Sequence, residues 1–330
     1  MTGERVHLSA AAARELAEAA LRGIGYDAEE AWIIADHVLD AALCGYEYSG
    51  LSKILNLPAS PRFGMPRRPV SVLRETPVSL QLDGGNQSGM IALYRATELA
   101  IAKAKSAGIA LVGLADSWQS GRSAYYVEKI ARAGLVAIHT ASSTRMVAPF
   151  GGAGPALGTN PIAIGLPSDD GAVVLDMGTS AFMMSEVMHR ERIGELLPDG
   201  VALGPDGAPT RDPSAARAGA LLPFGGYKGF GLALMIQALG LLAGAADDVE
   251  RDNGYLFIVF KPDLLSSLDR FKAEVSALLA RVKSVPRAEG TAEIRIPSER
   301  AFSTRERLMR EGIEIDRSVY EALLRLKTPT

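Results

Sequence analysis

The chain of 330 residues has one cysteine, four histidines and few aromatic residues, which make up 6% of it. A lone Cys44 excludes an internal disulfide and any cysteine-based zinc cluster, so a reducing, cytoplasmic setting is the expectation. His7, His37, His139 and His189 show no metal-ligand spacing and no His-Glu-x-x-His motif, so no metal is expected. His37 falls in mid-helix and reads as a packed or surface residue. Basic residues are scattered and the formal net charge is −3, which leaves no basic face for nucleic acid. There is no Gly-x-Gly-x-x-Gly between a strand and a helix and no P-loop lysine motif, so the familiar nucleotide folds are not indicated. No run suits a membrane span. The most apolar one, Gly229 to Ala245, is short, carries four glycines and Gln237, and reads as a buried helix. The opening stretch is amphipathic and acidic, without the apolar core of a secretion signal.

What is present is ordinary for a globular protein: 48% apolar and 22% charged residues. Ser9 and Asp27 read as N-caps of two opening helices, with Glu30 at capping-box spacing after Asp27 and Gly45 as the stop. A proline-rich stretch, 57–69, reads as an extended connector. From about residue 70, β-prone runs alternate with helix-period runs, which argues for an α/β sheet. "YLFIVF" (255–260) and "AEIRIP" (292–297) read as later strands, followed by two C-terminal helices.

Four stretches carry chemical potential. "PFGGAGPALGTNP" and "PFGGYKGFG" are glycine-rich, and glycines let backbone N–H groups approach phosphate or carboxylate oxygens. Lys228, among the glycines ahead of the apolar helix, opposes the helix dipole and would be stabilised by an anion. Asp176 ends "VVLD" and reads either as a cap for the next helix or as a contact for a ribose or amide. "LCGYEYSGL" (43–51) sets two tyrosines, a glutamate and a serine just past a helix end.

"GTNPIAIGLP", "VVLDMGTS", "LLPFGGYKGFGLAL" and "RIPSERAFSTRERLMREGIEI" together resemble the malate/L-lactate/ureidoglycolate/sulfolactate dehydrogenase family. This non-Rossmann NAD(P)-dependent family includes Δ1-piperideine-2-carboxylate reductases. The resemblance runs over nearly the whole chain. It implies an α/β, three-layer fold of the L-sulfolactate-dehydrogenase-like type around a mixed seven-stranded sheet. It also implies a helical region built from residues 1–69 and 298–330, a dinucleotide-binding α/β domain at 70–297, and a homodimer. No nucleic acid and no membrane is expected as a partner. Ser143, Gly158, Thr159, Asn160, Asp176, Met177, Gly178 and Lys228 look like contacts for NAD or NADP. Arg300 and Arg305 are candidates for a 2′-phosphate.

The catalytic positions depart from the family pattern. Where relatives write an Arg-Gly-Val-Asp-Ser-His-Gly helix end, this chain has Cys44, Glu47, Tyr48 and Ser49 for the arginine, aspartate, serine and histidine. A later arginine becomes Lys53, and a second family histidine becomes Gln119. Glu186 matches a supporting acid. Serine and glutamine have no useful pKa near neutrality, so the proton-transfer candidates are Tyr48 and Glu47. Lys53 is the candidate for holding a substrate carboxylate, Tyr46 for packing against ligand, and Arg122 and Arg145 fall in segments expected to line the site. The implied activity is hydride transfer to or from a small carboxylate substrate with C=O or C=N, a 2-oxo or 2-hydroxy acid or a cyclic imino acid. Its proton donor would not be a histidine. The alternative is a dinucleotide-binding homologue with lost or altered catalysis.

Overall fold

Side-chain caps start the first two helices. In the computed structural model, which describes residues 4–246 and 253–327, strand β1 (Arg5–Leu8) leads into helix α1 (Ala10–Gly23). The Ala12 amide donates to the Ser9 hydroxyl at 3.1 Å. Helix α2 (Ala28–Leu43) opens on the full capping box, Glu30 N–H to Asp27 at 2.8 Å and Asp27 N–H to Glu30 at 3.2 Å. Gly45, at φ 83°, ends it in the left-handed region. The connector 57–69 is not extended throughout. Pro61–Gly64 forms a 3-10 turn, because a proline at the first helical position is already set at a helical φ.

The α/β region runs β2 (Ser71–Thr76), β3 (Ser79–Ser88), α3 (Gly89–Ala107), β4 (Ile109–Trp118), α4 (Ser123–Arg132), β5 (Val136–Ala141), β6 (Ile162–Ser168) and β7 (Gly171–Met177). Then come α5 (Met184–Ile193), the two-residue pair β8 (Ala202–Leu203) and β9 (Ala220–Leu221) flanking α6 (Pro213–Ala218), α7 (Tyr227–Leu242), β10 (Tyr255–Phe260) and α8 (Leu268–Ser284). Seven strands form one mixed sheet in the order β2-β3-β4-β10-β5-β6-β7, in which only β3 and β4 run parallel. Helix α3 is the crossover that a parallel pair requires.

Alternation along β4 separates the layers. Val112 and Leu114 are buried with α3 and α4 residues, among them Leu93, Ala96 and Val127. Gly113 between them faces the other way, where an added Cβ would sit 3.2 Å from Ala243 at the end of α7. A second apolar cluster joins α1 and α2 to Ile313, Ile315, Val319 and Leu323 of β11 (Ile313–Asp316) and α10 (Arg317–Leu326), reached through α9 (Glu299–Glu311). Strand β1 pairs antiparallel with β11, so both ends of the chain close this helical region.

Two sequence expectations are corrected. Residues 292–297 are irregular and largely exposed, and among the described residues they pair with no strand, so no sheet ladder takes up their backbone groups. Helix α7 is not buried all round. Gly229, Ala233, Ile236 and Gly240 pack inward, while Met235 and Leu242 are 57% and 68% exposed. Three of its four buried residues are small, and most of its large ones are partly or fully exposed.

Candidate active site

Helix α2 ends at Gly45, and the chain then winds through two short 3-10 turns, Glu47–Ser49 and Leu51–Asn56. That winding turns Tyr46, Tyr48, Ser49 and Lys53 toward one cavity of about 900 Å³. The opposite walls are the segment after β4 (Gln119–Ser123), the loop after β5 (Ser142–Thr144), the end of β7 and the start of α5. Asn86, Asp116 and Gln119, beyond or at the ends of β3 and β4, all hold φ near +55 to +60°. Left-handed non-glycine residues gathered at one cleft are the sort of backbone cost that functional sites retain.

The two tyrosine rings meet edge to face at 6.1 Å, and the Arg122 guanidinium lies 5.2 Å from the Tyr46 ring centre. Arg122 also pairs with Asp40 at 3.1 Å. Burial first, and then the Glu186 carboxylate, push the Tyr48 phenol up to about 12. Lys53 has no carboxylate partner among the described residues, and burial alone pulls its ammonium down to about 8. Gln119 donates from Nε2 to the Asn56 carbonyl at 3.0 Å, which ties two walls of the cavity together.

Ser143, Thr159, Asp176 and Gly178 line the same space. Asp176 accepts the Ala124 amide at 2.7 Å, so it caps α4 rather than the helix that follows it in sequence. Burial raises its pKa. Asn160 is fully buried behind the wall. Its Oδ1 accepts the Ser143 amide at 3.1 Å, and its Nδ2 donates to the Ala233 carbonyl and Gln237 Oε1, both at 2.9 Å. It therefore pins the Ser143 loop to α7. Gly158 leaves room for that loop, since a Cβ there would overlap Ser143 Oγ. Met177 pairs with Ile162 at the end of β7 and is not part of the lining.

Several candidates lie elsewhere. Glu47 is clasped by Arg5 at 2.8 and 2.9 Å and faces a separate, smaller cavity beside β1 and β11. That ion pair turns its carboxylate away from the space that Tyr48 lines. Arg305 bridges Asp40 and Glu128 at 2.8 and 2.6 Å, behind Arg122. Glu186 sits beside Arg190 at 3.4 Å and acts on the cavity through its charge on Tyr48. Arg145, Arg300 and Lys228 are exposed and outside the lining.

Sequence reasoning missed Arg62, Asp116, Trp118 and the methionines of α5. Arg62 donates to Asn86 Oδ1 at 2.7 Å and pairs with Asp116, which also takes Arg68 at 3.1 Å. Nothing local in a proline-rich connector marks Arg62, whose partners lie far along the chain.

His37 is buried, as a packed histidine, and its Nε2 accepts the Arg122 amide at 2.8 Å. Burial holds its pKa well below the usual value, which keeps that nitrogen an acceptor. The contact fixes the turn at Gly121, where φ is 75° and a Cβ would overlap the imidazole. Gly121→Ala should cost about 2–4 kcal/mol of stability, measured by urea unfolding, from the left-handed backbone and the overpacking together.

Comparison with known proteins agrees with this geometry. Residues 8–324 match the family model described as malate/L-lactate dehydrogenase. The L-sulfolactate dehydrogenase of Methanothermobacter thermautotrophicus is 35% identical, over 90% of this chain and 89% of the relative. The Δ1-pyrroline-2-carboxylate reductase of Ancylobacter novellus is 34% identical, over 97% of each. The solved structure of the sulfolactate dehydrogenase from Methanocaldococcus jannaschii superposes with a TM-score of 0.85 at 32% identity, covering 97% of this chain and 96% of that one. With its mixed seven-stranded sheet and its cleft beside the α2 terminus, the chain belongs to the malate/L-lactate dehydrogenase family, whose members named here are dehydrogenases and reductases.

Proposed function

We propose that the protein is an NAD(P)H-dependent oxidoreductase that reduces a small carboxylate substrate at C=O or C=N. The observation that carries this reading is Lys53, a cation with no carboxylate partner among the described residues, in the same cavity as Tyr48. Lys53 holds the carboxylate as a point charge. Tyr48 stays protonated across the physiological range, so it can give a proton to an oxygen or nitrogen that gains charge during reduction. A phenol held that high is scarcely ionised near neutral pH, so little of the phenolate base that oxidation would need is present.

The residues fit a dinucleotide. Gly158 and Gly178 let the wall pack closely, since a Cβ at Gly158 would overlap Ser143 Oγ and one at Gly178 would come within 2.6 Å of Met183 Sδ. Ser143 Oγ is buried without a hydrogen-bond partner beside them. A reduced nicotinamide, when bound, supplies the hydride. Ser143, Thr159, Asp176 and Gly178 are its proposed floor, and Lys228 and Arg145 its proposed outer charges. Lys228→Ala should weaken dinucleotide affinity about tenfold, read by fluorescence titration, for loss of one partly solvated charge-assisted hydrogen bond. Unchanged affinity removes Lys228 from the site.

The exposed face of α7, with Met235 and Leu242, is proposed to meet a second copy of the chain in a homodimer, which light scattering would test. No helix among the described residues is long and apolar enough to cross a membrane, and the single cysteine suits a reducing cytoplasm.

Titration with NADH and NADPH, followed by loss of the reduced-nicotinamide absorbance with 2-oxo and imino acids, tests the proposal. Binding without consumption of any acid would favour a second reading, a dinucleotide-binding homologue without turnover. The absence of histidine at both family positions is the observation behind that second reading.

A further inference from the structure

We infer that the substrate is a monocarboxylate with a bulky apolar body, and that the cavity rejects a second acidic group. This rests on the reading above, and it follows from which charges in the cavity are already spent. Three cations line the space, Lys53, Arg62 and Arg122. Arg62 is held by Asp116 and Asn86, and Arg122 is held by Asp40 and covered on one side by the Tyr46 ring. Of these three, only Lys53 meets an incoming anion without first giving up a carboxylate.

One uncompensated cation balances one carboxylate. A second carboxylate would have to displace Asp40 or Asp116 from an existing pair, or stand against an apolar wall without a counter-charge. The cation outside the lining that the sequence suggested, Arg145, is exposed. On α5, Arg190 is engaged by Glu186 and Glu195, and Arg192 reaches Asn56 at 3.2 Å.

The apolar part of the wall is built mainly from methionines and one tryptophan. Met183, Met184 and Met188 come from the start of α5, Met146 from the loop after β5, and Trp118 from the end of β4. The Trp118 indole N–H is already used, donating to the Asn86 carbonyl at 3.1 Å, so the ring offers no polar group to ligand. Methionine side chains are unbranched and reshape around an irregular body, which suits a branched or ring-bearing substituent better than a methyl group.

Trp118 also provides a readout that needs no turnover. The chain has two tryptophans, and Trp32 is 42% exposed on α2, so Trp32→Phe leaves Trp118 as the reporter. In that protein, 4-methylpentanoate should change the emission at concentrations about a hundredfold below those needed for succinate. With saturating NADPH or NADH, 4-methyl-2-oxopentanoate should exceed oxaloacetate by a similar factor in kcat/KM and exceed pyruvate about tenfold. Met188→Arg, checked for folding by thermal unfolding, should raise the affinity for succinate at least tenfold. Equal or tighter binding of succinate, no acid response at Trp118, or no gain in Met188→Arg would each overturn the inference. Failure of either dinucleotide to bind would instead sink the oxidoreductase reading, while the selectivity at Trp118 would still be read.

Discussion

Lys53→Met should lower kcat/KM for a carboxylate substrate by about 30- to 1000-fold and leave dinucleotide affinity within about twofold. The range corresponds to about 2–4 kcal/mol, the usual cost of removing one member of a desolvated charge pair. The pH dependence sharpens the test. Burial sets the lysine to about 8, so above that pH the amine is neutral and offers no counter-charge. In the wild type kcat/KM should therefore fall about tenfold per pH unit above pH 8, and in Lys53→Met that limb should vanish. Stability should move the opposite way. Between pH about 8 and 10.5 the unfolded chain holds the Lys53 proton and the folded chain does not, so wild-type stability rises with pH across that window. The methionine variant should lack that rise and be the more stable protein at pH 7. A steady-state pH profile and urea unfolding at pH 7 and pH 10 measure both. An alkaline limb that persists in the variant would assign it to another group and take the carboxylate away from Lys53.

The parts of this arrangement that the sequence revealed are those with local causes. The Asp27–Glu30 box and Gly45 fix α2 through contacts three or four residues apart, so its end was readable, and with it the place of Tyr46 to Lys53. Six of the seven sheet strands likewise showed as apolar runs between turn residues, whereas β2, exposed along most of its length, did not. Tertiary partners were not readable. Strand β1 is four residues long and pairs with β11 more than 300 residues away, so no periodicity announces either. Glu47 looked like a second acid because its neighbours in sequence face the cavity. A 3-10 turn places successive side chains about 120° apart, and Arg5 captures the one that points outward. Asp176 read as a cap for the helix after it, but it caps α4, which lies before it in sequence, and it lines the cavity. The apolar face of α7 was misread for a different reason. Composition reports how apolar a helix is, but here three of the four buried residues are small, while Met235 and Leu242 stay exposed.

Tyr48→Phe separates proton transfer from binding. If the phenol donates the proton, the variant should lose about 10²- to 10⁴-fold in turnover on a 2-oxo acid, the span attributed to one positioned general acid. Dinucleotide affinity and the alkaline limb near pH 8 should both remain, because the phenol, pushed up to about 12, does not titrate there. A cyclic imino acid should behave differently. Its nitrogen enters the site already protonated, and hydride addition leaves a neutral amine that takes its next proton from water, so the same variant should lose less than about tenfold. The ratio of the two losses is thus the measurement, made by stopped-flow absorbance with both substrate types on one preparation. A large loss on the oxo acid alone places the phenol at the oxygen that gains charge. Equal, large losses on both would mean that Tyr48 shapes the cavity, through its edge contact with Tyr46 and the Arg122 guanidinium beyond it, rather than giving a proton. No loss on either would leave proton transfer to water, because Ser49 and Gln119 have no acid to offer and Glu47 is held by Arg5.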